Sequence, residues 1–220
     1  MKEKPFLTVS HCHLLAMLIH SPKHQTIDSL ILAGGQSRRM GHPKALLEVS
    51  GKPLITHLTE QMAPLSQTLY IAARDKATSI QPWVASHQAE FIDDYYATDE
   101  GPLSAIAAGL KKTHNAWLWV ASTDCFGDMN AVLSLLFTAT TPPSSPIIFL
   151  NHIGRFQPLQ ALIHTDLTDD VIAWLDSGNR AVMPWYKKHN ALAVEFTSPS
   201  FYSNLNSPED YSGLLSHLAG

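Results

Sequence analysis

A turn rich in glycine and cations is the most chemically suggestive stretch of this chain. It reads Leu32-Ala33-Gly34-Gly35-Gln36-Ser37-Arg38-Arg39-Met40-Gly41-His42-Pro43-Lys44. Two adjacent glycines let the backbone approach a ligand closely and leave N–H groups to bind anionic oxygens. Arg39 and Lys44 add mobile positive charge suited to a triphosphate, and the Ser37 hydroxyl bonds phosphate or caps the loop. Neither common nucleotide loop fits: Gly41 is followed by His42, which excludes G-x-x-x-x-G-K-[ST], and no G-x-G-x-x-G is present. The plain alternative is a surface turn with two arginines.

Carboxylates form the second candidate group. Asp93-Asp94 and Asp124 each follow a short apolar run. A carboxylate suits Mg²⁺, a hard cation that prefers oxygen ligands. Asp124 has an alternative role as N-cap of a helix opening at Met129, and Asp93 and Asp94 as turn formers. A His11-Cys12-His13 triplet near the start offers metal-ligating types, but neighbours on a strand point to opposite faces and do not converge on one ion.

These residues need elements that bring them to one place. Residues 27–33 read as a buried first strand stopped by Gly34-Gly35. A helix is expected at 53–62, a strand at 68–73, a short helical or loop piece at 81–87 and a strand at 90–92. Gly101-Pro102 opens a helix with Leu103, Ile106, Ala107 and Leu110 on one face. A central strand at 117–121 runs into Asp124, and a helix follows at 129–137. Further strands are expected at 147–150, 160–163 and 192–196, with helices at 167–177 and 208–218. Alternating strands and helices predict an α/β fold: a mostly parallel, twisted sheet with helices on both faces. In such a sheet the ligand sits beyond the carboxyl ends of the strands, where the glycine turn and the acidic residues all fall.

Composition narrows the partners. The chain has 220 residues, 45% hydrophobic, enough for one sizeable core at 27–220. A net charge of −4 argues against nucleic acid. The apolar run 14–19 is too short to cross a membrane, and as a signal peptide it is weak, broken off by His11, His13 and His20 with no small-residue cleavage site after it. Cys12 and Cys125 match neither zinc nor redox spacing, so the expected location is a reducing cytoplasm. Residues 1–26, with His11, His13, His20 and His24, read as an extension packed on the domain as an extra helix or tail, or as leader to a start at Met17.

The glycine turn, read as L-A-G-G-x-S-x-R-M-G-x-x-K, resembles the signature loop of the molybdenum-cofactor guanylyltransferases. The likeness continues through 46–54, Ile92-Asp93-Asp94 with Gly101-Pro102-Leu103, Thr123-Asp124, Arg155-Phe156-Gln157-Pro158, and Asn204-Leu205-Asn206-Ser207-Pro208-Glu209. The sequence departs from that family at Ala73, where Asn is usual, and in Ser122-Thr123-Asp124-Cys125-Phe126, which lacks two prolines. The resemblance implies a Rossmann-like nucleotide-diphospho-sugar transferase fold and transfer of GMP from GTP to a molybdopterin-type phosphorylated acceptor, with Mg²⁺ as cofactor. It implies that Leu32, Ala33, Gly34, Gly35, Ser37, Lys44 and Asp94 meet the nucleotide. It implies catalytic parts for Arg39, Lys44 and Asp124, with Asp124 holding the metal. It implies that Arg155, Arg180, Asn204 and Asn206 meet the acceptor, and that other cofactor-biosynthesis proteins are contacted. The alternatives are a cytidylyl- or sugar-phosphate nucleotidyltransferase of the same fold, and a non-catalytic nucleotide- or cofactor-binding relative.

Overall fold

Strand and helix alternate along almost the whole chain. In the computed structural model the strands are β1 (Leu7–Val9), β2 (Asp28–Leu32), β3 (Glu48–Val49), β4 (Lys52–Pro53), β5 (Thr68–Ala72), β6 (Glu90–Ile92), β7 (Trp117–Ser122), β8 (Ile147–His152), β9 (Arg155–His164) and β10 (Leu192–Phe196). The helices are α1 (Leu54–Met62), α2 (Ala77–Val84), α3 (Pro102–Lys112), α4 (Met129–Thr138), α5 (Thr168–Asp176), α6 (Val182–Lys188) and α7 (Pro208–Leu218). The structure describes residues 7–9, 27–34, 43–73, 77–84, 87–96, 101–141, 145–198, 201, 205 and 207–218.

Eight strands form one sheet in the order β1-β10-β8-β9-β7-β2-β5-β6. From β2 the chain moves outward to β5 and β6, then returns to pair β7 on the other side of β2. All of these pairings are parallel. That reversal of direction opens a crevice past the carboxyl ends of β2 and β7.

Because the sheet is covered on both faces, its strands are apolar at consecutive positions. Leu30 of β2 and Leu118 and Val120 of β7 face one core, shared with α3, α5 and α6. Ile31, Trp119 and Ala121 face the other, shared with α1, α2 and α4. Gly109 lets α3 lie close: a Cβ there would stand 2.9 Å from Leu118 and 3.0 Å from Leu30. At the rim opposite the crevice, buried Asp28 accepts from the Thr68 N–H at 3.0 Å, the Thr113 hydroxyl at 2.6 Å and the His114 N–H at 3.3 Å. These bonds fix the start of β2.

The sheet is mixed, because β9 runs antiparallel between β7 and β8. The two strands expected at 147–150 and 160–163 are parts of one longer hairpin. Its two-residue turn, Ile153-Gly154, has positive φ at both positions (50° and 74°), the conformation that matches strand twist. A β-branched residue rarely occupies that region, so the turn carried no local signature. A register shift at Phe149 and Leu150 further broke the alternation.

Three other elements differ from expectation. α2 begins at Ala77, ahead of the expected 81–87, and contains Pro82. α6 was not expected; it is short, and Pro184 in its first turn is compatible with a helix. In the extension, Leu7–Val9 pairs in parallel with β10 and covers that sheet edge. The His11-Cys12-His13 triplet lies outside the described residues. No helix among the described residues is long and apolar enough to cross a membrane.

Candidate functional site

The crevice is built on one register. Leu32 at the end of β2 pairs with Ser122 at the end of β7, and Gly34 and Asp124 each stand two residues beyond that pair. The ends are tied together: the Ala33 N–H donates to the Ala72 carbonyl at 2.8 Å, and the Thr123 N–H to the Leu32 carbonyl at 3.3 Å. Gly34 is exposed. A Cβ on it would meet only the Ala72 carbonyl oxygen, at an ordinary 3.7 Å, so packing within the described protein does not require glycine there. Gly35, Ser37 and Arg39 lie outside the described residues.

Asp124 is half-buried and closely held. The Ser122 hydroxyl donates to its Oδ1, and the Cys125 thiol lies 3.5 Å from the same oxygen. Behind Ser122, the Gln160 side-chain amide donates to the serine oxygen at 3.4 Å. Gln160 is 1% exposed, and its Oε1 has no hydrogen-bond partner among the described residues. An unsatisfied buried carbonyl costs about 1–3 kcal/mol. On the main chain, the Leu205 N–H donates to the Asp124 carbonyl at 2.9 Å. Asp124 does not cap α4. Asp128 does, accepting from the Ala131 N–H at 3.0 Å, so the alternative capping role falls away.

The turn after β6 reaches the same rim. Asp93 is exposed and Asp94 half-buried. The turn is anchored by α3: the Tyr95 N–H donates to the Ser104 carbonyl at 3.1 Å, and the Tyr96 N–H to the Ser104 hydroxyl at 2.9 Å. Gly101 opens α3 at φ 73°, which demands glycine. Lys44 begins a single 3₁₀ turn, Lys44–Leu46, pinned by the buried Ala45 in the core beside α1.

The residues assigned to the acceptor divide. Arg155 is exposed and opens β9. Since β9 is antiparallel to β7, its first residue emerges on the crevice rim. Arg180 turns part of its guanidinium inward: Nη1 donates to the Leu175 carbonyl at 2.6 Å and the Asn179 carbonyl at 2.8 Å, closing the end of α5. Its own carbonyl lies 4.0 Å from where a Cβ on Gly101 would stand, so it borders the mouth of α3. Nearby, Tyr96 donates its hydroxyl to Asp176, and that bond pushes the phenol above its ordinary range. Asn204 and Asn206 lie outside the described residues. Leu205 between them is buried in a small cluster with Val49, Leu54 and Leu214.

A divalent cation fits the donor set. No group of three or more ligating side chains gathers among the described residues. Mg²⁺ needs fewer, because it keeps waters and takes the rest of its ligands from phosphates. Asp124 offers a carboxylate whose Oδ2 accepts no hydrogen bond from the described residues.

The MobA-like NTP transferase domain family matches residues 29–192, the span that holds β2, β7 and the crevice between them. The chain belongs to this family. As a MobA-like protein it is 32% identical over 184 residues to the molybdenum cofactor guanylyltransferase of Vibrio cholerae, covering 82% of this chain and 87% of that one. It is 29% identical over 196 residues to the molybdenum cofactor guanylyltransferase of Shewanella piezotolerans, covering 88% and 94%. Among solved structures it is similar to the molybdopterin-guanine dinucleotide biosynthesis protein A of Archaeoglobus fulgidus, with a TM-score of 0.68, 22% identity, and 87% and 98% of the two chains covered. Ala73 is 1% exposed, packs in the core beside α1 and α2, and presents no polar group to the crevice. Without the two prolines, the Asp124 turn is held by the hydrogen bonds of Ser122, Thr123 and Leu205. Sequence reasoning did not pick out Ser122, Gln160, Ser104 or the Leu205 amide, because each acts on a partner chosen by the fold.

Proposed function

We propose that this MobA-like nucleotidyltransferase moves GMP from GTP to a phosphorylated, molybdopterin-type acceptor and releases pyrophosphate. One observation carries the reading. Gly34, which packing does not require, and Asp124, whose carboxylate is held but half accepting, each stand two residues past one pair of strand ends, the end at which such sheets bind ligands. A backbone turn able to meet phosphates and a carboxylate able to hold a cation are what phosphoryl chemistry asks of a protein.

The protein supplies no nucleophile. A terminal phosphate oxygen of the acceptor attacks the α-phosphorus of GTP, and the bond from that phosphorus to the bridging oxygen breaks. Leu32, Ala33, Gly34, Gly35, Ser37 and Asp94 hold the nucleotide, while Arg39 and Lys44 offset triphosphate charge. Asp124 holds Mg²⁺, which when bound neutralises charge building on the departing pyrophosphate. Arg155, Arg180, Asn204 and Asn206 orient the acceptor, with Arg180 restrained by its bonds at the end of α5. A cytoplasmic setting and delivery of the product to a cofactor-handling protein complete the reading.

The test is pyrophosphate release by the purified full chain, with Mg²⁺ and molybdopterin, comparing GTP, CTP and ATP. Release with GTP at least tenfold above the others supports the reading. Preference for CTP, or for a sugar phosphate as acceptor, replaces it with another transferase of the same fold. GTP binding with no release under any condition replaces it with a binding protein.

A further inference from the structure

We infer that Ser122 and Gln160 are positioning residues that set the cation affinity of Asp124 through a buried relay. The inference rests on the reading of Asp124 as the cation-holding carboxylate. The geometry is directional. The Gln160 amide donates to the Ser122 oxygen, so the single hydroxyl proton of Ser122 goes to Asp124 Oδ1. That leaves Oδ2 as the oxygen without a protein donor among the described residues. One carboxylate oxygen is thus fixed by the protein, and the other is left to accept from a ligand. Hydrogen bonds behind a ligand act in this way: they reduce the orientations it must give up on binding the ion.

The stability of the fold does not account for Gln160. It is fully buried, and its Oε1 finds no partner among the described residues, so an apolar side chain of similar volume would suit the core better. Gln160 sits on β9, which runs antiparallel to both of its neighbours and carries its side chain to the end of β7. No proline stands in the turn from Ser122 to Phe126, so a hydroxyl held from behind is what aims the carboxylate.

Mn²⁺ titrated into the full chain with GTP present, with unbound Mn²⁺ read by electron paramagnetic resonance, tests this. Ser122→Ala is expected to weaken Mn²⁺ about tenfold, and Gln160→Leu to weaken it by at least about threefold. The double variant is expected to be no weaker than Ser122→Ala, because Gln160 acts only through Ser122. Ser122→Thr, which keeps the hydroxyl, is expected to stay within about twofold of the parent. Melting temperatures separate this from a packing role: Gln160→Leu is expected to melt no lower than the parent while still losing cation affinity. Parent-like Mn²⁺ affinity in Ser122→Ala or in Gln160→Leu overturns the inference, as does a double variant that loses the product of the two effects. Asp124→Asn is the control for the underlying reading: if it binds Mn²⁺ as the parent does, the cation site is elsewhere and the relay has no object. Where the pyrophosphate-release assay selects another nucleotide, the titration is run with that one in place of GTP, so a different nucleotide preference leaves the Mn²⁺ comparison intact and the two readings fail separately.

Discussion

The Leu205 N–H donates to the carbonyl oxygen of Asp124, far away in sequence, at 2.9 Å. The bond fastens the C-terminal segment to the turn that carries the candidate cation ligand. Leu205 also fills a buried cluster with Val49, Leu54 and Leu214, so the segment that follows the glycine turn and the last helix share one small core.

Leu205→Ala therefore loosens both ends of this connection. The expected loss is about 2–4 kcal/mol of stability from the emptied cluster. Activity should fall more steeply on warming than in the parent, because the turn below Asp124 loses its anchor first. Denaturant unfolding and activity measured across temperature check it. Parent-like stability would show that this contact is not made.

Asp124→Asn keeps size and shape and removes the charge. The expected result is a loss of about 10²–10³ in kcat, with a melting temperature close to that of the parent. Equal turnover at saturating Mg²⁺ contradicts the assignment of Asp124.

Gly34→Ala separates a ligand's need for glycine from the fold's need. The space around Gly34 accepts a methyl group, the nearest described atom standing at 3.7 Å. Stability should not fall. Nucleotide binding should weaken about tenfold, about 1.4 kcal/mol, if phosphates come as close to this backbone as proposed. Calorimetric titration with GTP and Mg²⁺ gives the answer, and unchanged affinity argues against that approach.

Asp170 fixes an acid limit to stability. It sits in the first turn of α5 and accepts from Lys188 at 2.5 Å, Trp185 at 2.8 Å and His189 at 2.7 Å, joining α5 to the end of α6. Burial pushes its pKa up, but the hydrogen bonds from Lys188, Trp185 and His189 outweigh that and hold it at about 2, against an ordinary 3.8. A carboxyl depressed on folding stabilises above its unfolded value and loses that contribution as pH falls. The loss should span pH 4 down to about 2 and amount to about 1–2 kcal/mol after allowing for its partial exposure. Asp170→Asn should be less stable than the parent at pH 7, with the gap closing below pH 4. Urea unfolding at stepped pH measures this; a constant gap refutes it.

Short-range signals made much of this molecule legible from its residues alone. Apolar runs at 27–33 and 117–121, glycines after the first and acids after others, fix strand ends and the rim on which Gly34, Asp94 and Asp124 fall. Such features depend on side-chain period and backbone sterics within a few residues, which the local sequence contains. Tertiary structure decided what distant residues do to each other. The reversed strand β9, the turn at Ile153-Gly154 and the edge pairing of Leu7–Val9 follow from strand register. Arg180 bonding the end of α5, and Asp128 rather than Asp124 capping α4, depend on where each backbone terminus comes to lie. Gln160 reaches Ser122, and Leu205 reaches Asp124, because a hydrogen bond is specified by a few tenths of an ångström and by direction. Spacing along a chain does not encode that; only the packed sheet does.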